Sequence, residues 1–289
     1  MSPRRARSFR LTRAAGWLAG ICACLWTSRP ARAAGLPDET YHALPCRPTI
    51  ACTADIVPEG SIEIEVGVLT KARDTTRTSS MPWLIKLSLL AELQLQLSTN
   101  SAYVTSDRGT KALDDATLGL KWNFLAQRGA IPEVSISAEF SAIDSSSIQA
   151  DRRWAYGGQV IGYVTKDFDW LHADLNLGLN QWWLDGKSIT QGLAALALSV
   201  ELPAHFGVML EHYQFSDAAP VAPKDGGVLA ALTYSPKPYV TLDLGGDVAT
   251  YTETRAYSLF LGMTFIAIDL WDSPREHTKK TAARHPLRF

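Results

Sequence analysis

The feature that most constrains this chain is a period of two. From Gly60 to Phe265, stretches of roughly ten residues carry apolar side chains at every second position, and each stretch ends in a break. Successive side chains of an extended strand point to opposite faces, so each stretch offers one apolar and one polar face. No segment holds the roughly twenty consecutive apolar residues that a membrane-crossing helix needs.

The runs can be taken in order. Ile62, Ile64, Val66 and Val68 share a face opposite Glu63 and Glu65, and Trp83, Ile85 and Leu87 oppose Lys86 and Ser88. Leu93, Leu95 and Leu97 oppose Glu92, Gln94 and Gln96; a break at 89–91 separates these two runs, although one long strand fits the same residues. Next come Leu118 to Phe124 against Lys121 and Asn123, Val134 to Phe140 against Glu133 and Glu139, and Tyr156, Val160 and Val164 against Gln159 and Tyr163. The cleanest run alternates Leu171 to Leu179 with His172, Asp174, Asn176 and Asn180. Runs at 189–201 and 205–215 carry Glu201 and Glu211, with Pro203 in their connection, where its missing donor does no harm. The last three span 227–235, 238–250 with Asp243, and 256–265, for about twelve strands in all.

The N-terminus says where such strands would fold. Arg4 to Arg13 form a basic segment, Ala14 to Trp26 an apolar one, and Ala31-Arg32-Ala33 fits a small-x-small cleavage rule, so residues 1–33 read as a cleaved signal peptide. Exported strands with one apolar face predict an all-β fold, a single antiparallel transmembrane β-barrel over 60–266 in the outer membrane of a Gram-negative bacterium. Connection lengths agree: short joins near 89–91, 126–131, 166–168, 202–204 and 235–237 alternate with longer or more polar ones at 70–81, 99–114, 142–152, 184–188, 216–226 and 250–255. Such barrels have short periplasmic turns and longer extracellular loops, so both termini fall on the periplasmic side. Trp122, Phe124, Phe206, Tyr234 and Phe265 then form one aromatic girdle, and Trp154, Tyr156, Trp183 and Tyr257 the other. The competing fold is a soluble β-sandwich or lipocalin-like barrel, with those rings in a core.

Outside the repeats, residues 34–59 read as a periplasmic N-terminal segment holding Cys46 and Cys52, a pair that favours a disulfide in an exported chain. Only His42 lies near them, too few ligands for a metal. Residues 267–289 read as a basic C-terminal tail. The net charge of −1 argues against nucleic acid, and the sequence implies no catalytic residue and no cofactor. The expected partners are outer-membrane lipid, a small-molecule solute and, during biogenesis, the barrel assembly machinery.

The polar face, read as a lumen, is acidic. Glu63, Glu65, Glu92, Glu139, Asp174, Glu201, Glu211 and Asp243 line it with His172, against Lys86 and Lys121. Fixed carboxylates in a narrow bore favour cations or neutral solutes over anions. The same residues could instead pair with Lys86, Lys121, Arg152 and Arg153 in a lattice that fills the barrel. Two other classes stand beside a channel: a barrel hydrolase, for which His172, His205 and His212 lack a recognisable nucleophile context, and a closed structural or adhesive barrel.

SSMPWLIKLSLLAELQLQLS, DDATLGLKWNF, PEVSISAEF, LHADLNLGLN, FGVMLEHYQF and the stretch from LTYSPKPYVTLDLGGDV onward resemble the outer-membrane family labelled after the MetA pathway of phenol degradation, over roughly 55–265. That resemblance implies an outer-membrane transporter or channel for aromatic or other hydrophobic compounds, and brings no catalytic or ligand residues. The stretch SAEFSAIDSS departs from the pattern, which has more proline and glycine there.

Overall fold

A computed structural model describes residues 42–47, 49–73, 76–100, 102–106, 109–112, 115–144, 154–184, 186–216, 226–249 and 256–270. The expected signal peptide at 1–33, Arg152 and Arg153, and the tail beyond residue 270 lie outside the described residues. The strands are β1 (Ser61–Arg73), β2 (Thr76–Ser80), β3 (Trp83–Leu90), β4 (Leu93–Thr99), β5 (Tyr103–Ser106), β6 (Gly109–Ala112), β7 (Asp115–Leu125), β8 (Glu133–Asp144), β9 (Trp154–Asp167), β10 (His172–Leu184), β11 (Lys187–Leu202), β12 (Phe206–Phe215), β13 (Gly226–Lys237), β14 (Val240–Ala249) and β15 (Ala256–Asp269).

Every strand pairs antiparallel with its neighbours, and β15 returns to β1 from Ser61↔Asp269 to Arg73↔Ala256, closing the sheet into a barrel. Along the run from β1, β3, β4 and β7 round to β15, closure leaves no edge of unpaired backbone groups, which hydrocarbon could not satisfy; above it, among the described residues, β6 pairs with β5 alone. The wall has 12 strands. Three of them are interrupted: β2 continues β3, β5 continues β4, and β6 leads into β7. Above the interruptions β1, β2, β5 and β6 pair with one another as β1, β3, β4 and β7 do below. The joins expected at 70–81 and 99–114 are therefore largely strand. One interruption falls at Met81–Pro82, where proline has no N–H to give the ladder, and the Pro82 carbonyl accepts the Gly67 amide at 3.1 Å.

The turns expected at the periplasmic end appear at Ala91–Glu92, 126–132, 168–171, Pro203–His205 and Pro238–Tyr239. The join at 184–188 is short and polar: β10 and β11 pair up to Leu184↔Lys187, and Gly186 takes φ +73° in the turn. An Asp-Gly pair is a hairpin signal in its own right, because both central positions need positive φ.

The two faces follow the alternation. Leu177, Leu179, Leu259 and Leu261 point outward and are 56, 65, 70 and 59% exposed. In water so large an apolar surface would be an aggregation site; in lipid it is at home. Trp122 packs beside Phe124 and Phe206 beside Tyr234 near the periplasmic ends, and Phe140 stacks on Tyr156 near the outer ends. Glu63, Glu65, Lys86, Gln94, Lys121, Glu133, Asn176 and Glu211 point inward and are buried.

They are buried because the lumen is occupied. Residues 43–47 and 49–58 lie inside the barrel, a correction to the expected periplasmic segment. The Ala43 amide bonds the Pro238 carbonyl at a periplasmic turn, and Gly60 bonds Ser88 where β1 begins. Between these points the segment has no regular secondary structure, and Ala51, Ala54, Ile56 and Val57 are fully enclosed.

Candidate functional site: a plugged lumen

A backbone without helix or sheet must find partners for its N–H and C=O groups elsewhere when buried. Here the wall supplies them. The Leu44 amide donates to Glu63 (2.6 Å), and those of Cys46 and Arg47 donate to Glu65 (3.0 and 2.9 Å). Ile50 and Ala51 donate to Glu211 (3.0 and 3.1 Å), Cys52 to Asn176 Oδ1 (2.5 Å), Ala54 to Thr165 Oγ1 (2.6 Å) and Val57 to Gln94 Oε1 (3.0 Å). The carbonyls are met in the same way. Lys121 Nζ donates to Thr53 and Asp55 (2.5 and 2.9 Å), Asn123 and Ser135 donate to Ala54, Ser88 to Val57 (2.6 Å), and Lys86 to Leu44.

The acidic excess on the inner face thus has a physical cause. Carboxylates accept hydrogen bonds only, and those of Glu63, Glu65 and Glu211 meet backbone amides of the segment that no helix or sheet satisfies. Lys86 lies 2.8 Å from Glu63 and 2.5 Å from Glu65, and all three are at most 2% exposed, so one buried ammonium is shared by two carboxylates near the plug's entry. Arg47 reaches from the plug to the Pro82 carbonyl (2.6 Å), within the field of Glu65 and Asp243. Gly67 makes room for that guanidinium: a Cβ there would stand 3.0 Å from Nη2.

Cys46 and Cys52 are joined in a disulfide. The loop it closes carries the amides that meet Glu65, Glu211 and Asn176, so the bridge holds those donors in one arrangement. The plug is also held by apolar contact. Ile50, Ala51, Cys52 and Ala54 pack against Ala195, Ala197, Tyr213, Phe215, Ile161, Tyr163 and Leu193.

Not every expected lumen residue touches the plug. Glu139 accepts from Ser137 (3.0 Å) and Gln159 within the wall. Glu92 lies at a turn and Glu201 near the end of β11, and both are exposed. His172 sits at the start of β10 with Nδ1 2.5 Å from Asp167 and Nε2 2.9 Å from Asp174, whose other oxygen accepts from Thr165 (2.5 Å). With both ring nitrogens held by carboxylates, the ring is poorly placed to activate a hydroxyl. Among the described residues no group of three or more His, Cys, Asp or Glu could hold a metal ion.

Two apolar clusters line other parts of the inner wall. Ile143, Ala155 and Trp182 pack with Leu184 and Ile189 near the outer rim, and Leu229, Ala231 and Phe260 pack with Leu69 and Met209. The strand patterns did not announce them, because each cluster is built from isolated apolar residues on otherwise polar faces of different strands. Ala51 and Met209 connect the second cluster to the plug tip.

A closed antiparallel barrel with an apolar outer belt and a polar, occupied interior is an outer-membrane protein, and its place is the outer membrane of a Gram-negative bacterium. No family model matches the chain, and no curated protein is similar to it in sequence. Among solved structures it is similar to an outer-membrane channel from Pseudomonas putida F1, at 12% identity and a TM-score of 0.50, covering 74% of this chain and 98% of that one. It also matches the NanC porin (10% identity, 70 and 98% covered, TM-score 0.46) and the KdgM porin (9% identity, 70 and 98% covered, TM-score 0.43). At these identities the likeness is one of fold.

Proposed function

We propose that this barrel is an outer-membrane channel for small solutes, aromatic and other hydrophobic compounds among them, and that residues 43–58 shut it. The observation that carries this reading is the inner wall itself, in which apolar clusters stand beside a plug that is bonded by side chains rather than built into the sheet. Side-chain bonds of this kind can be exchanged for water without breaking the wall. The resemblance to the family of the MetA pathway of phenol degradation supports the same solute class. Once the plug yields, Glu63, Glu65, Glu211 and Asp243 face the bore and disfavour anions.

The test is planar-bilayer recording of the purified protein beside a variant lacking residues 34–58. The intact barrel should carry little current, and the truncated one a cation-preferring current that benzyl alcohol reduces and glycerol at the same concentration does not. A truncated barrel that folds, as shown by heat-modifiable gel mobility, yet carries no current would favour a closed structural barrel instead.

A further inference from the structure

We infer that the outward face of β14, β15, β1 and β2, near their extracellular ends, is a binding site for one molecule of the phosphorylated, acylated glycolipid of the outer leaflet. A groove of about 480 Å³ opens there, lined by Thr70, Ala72, Arg77, Gly246, Val248, Tyr257 and Leu259, with Asp247 and Ser258 beneath. The register sets these residues in two rows. Arg77 pairs with Ala72, Ala72 with Tyr257, and Tyr257 with Val248, so a guanidinium and a phenol flank a methyl group at one height. Thr70 pairs with Leu259 and Leu259 with Gly246 in the next row toward the membrane centre, where the leucine leans over the glycine, Leu259 Cδ2 standing 3.1 Å from where a Cβ would be. Val68, Leu261 and Leu244 continue the track below, all outward and exposed.

The chemistry changes along this track. Tyr257 belongs to the outer aromatic girdle and Arg77 stands in its row, which sets both at the headgroup level, and below them every outward side chain but Thr70 is apolar. Thr70 is turned to Ser79, 3.0 Å away on β2. A guanidinium above an apolar furrow suits an anionic phosphate with an acyl chain attached. The furrow lies on the loop side of the barrel, so the leaflet that supplies its ligand is the outer one, whose anionic lipid is the glycolipid.

Native mass spectrometry of the full-length protein in detergent tests this directly, with added bisphosphorylated lipid A, dephosphorylated lipid A or phosphatidylglycerol. The wild type should retain one lipid A and hold the dephosphorylated form at least tenfold more weakly, the loss of a charge-assisted contact. Arg77→Glu should lose that preference. Ala72→Phe, which fills the groove from an outward position without touching the lumen, should lower retention of every lipid, and heat-modifiable mobility reports whether each variant is folded. Equal retention of lipid A by wild type and a folded Arg77→Glu barrel would overturn the proposal, as would tighter retention of phosphatidylglycerol than of lipid A.

Discussion

Replacing Glu211 measures how firmly the plug is held. Its carboxylate accepts the Ile50 amide through both oxygens, at 3.0 and 3.1 Å, and the Ala51 amide at 3.1 Å through one of them. A hydrogen bond to a charged group contributes about 1.5–3 kcal/mol net, and a neutral one about 0.5–1.5. Glu211→Ala removes two charge-assisted bonds, so the seated plug should lose roughly 3 kcal/mol or more, a shift of over a hundredfold toward the open form. Glu211→Gln can keep its remaining oxygen where it meets both amides and loses only the charge, for about 1.5 kcal/mol, or roughly tenfold. Amide hydrogen exchange of peptides spanning 49–58 reads this opening, because exchange follows the population of the open form. The expected order is wild type slowest, then Gln, then Ala, with amides of β10 unchanged. Unaltered exchange at Ile50 and Ala51 in the alanine variant would refute the latch, and equal acceleration in β10 would mean that the barrel, not the plug, had been loosened.

Other perturbations separate plug from wall. Cys46→Ala with Cys52→Ala frees a short loop and should cost about 2 kcal/mol of plug seating, seen as faster exchange over 44–54 with an unchanged unfolding midpoint of the barrel. Lys86→Met leaves Glu63 and Glu65 buried without their counter-charge and should cost about 3–5 kcal/mol, read as a lower urea midpoint on unheated gels; an unchanged midpoint would mean that the carboxylates are neutralised in some other way. Gly157→Val puts a Cβ 2.5 Å from the Trp182 ring and should destabilise the outer part of the wall by about 1–3 kcal/mol in the same assay.

Much of the wall was legible because lipid and lumen are unlike solvents and side chains alternate between them. β10 was readable residue by residue, from His172 inward to Leu179 outward. β2, β5 and β6 were hidden, since TRTSS, YVTS and GTKA are short and carry no alternating apolar face of their own. Parity also says nothing of height: Glu201 shares the inward parity of Ala195 and Ala197 yet lies near the strand end, exposed. The plug was least legible, because its chief contribution is backbone amides, which carry no sequence signal. What could have pointed to it was an imbalance, with many inward carboxylates and few cations such as Lys86 and Lys121 to meet them. A closed tube lined with acceptors needs donors from somewhere, and the short disulfide loop just upstream of the first strand was the nearest supply.

The anchors of the plug decide how it can leave. Ala43 is tied to the turn at Pro238 and Gly60 to Ser88 beside the turn at Ala91–Glu92, so the segment enters and exits by one mouth. A chain looped in this way is not threaded. It can be withdrawn toward the periplasm as a folded-back hairpin, disulfide intact, without any free end passing through the bore and without any strand of the wall parting from its neighbour. Opening and reclosing are then limited by the exchange of a set of hydrogen bonds for water, and the tether to β1 keeps the plug at high local concentration beside the opening it has left.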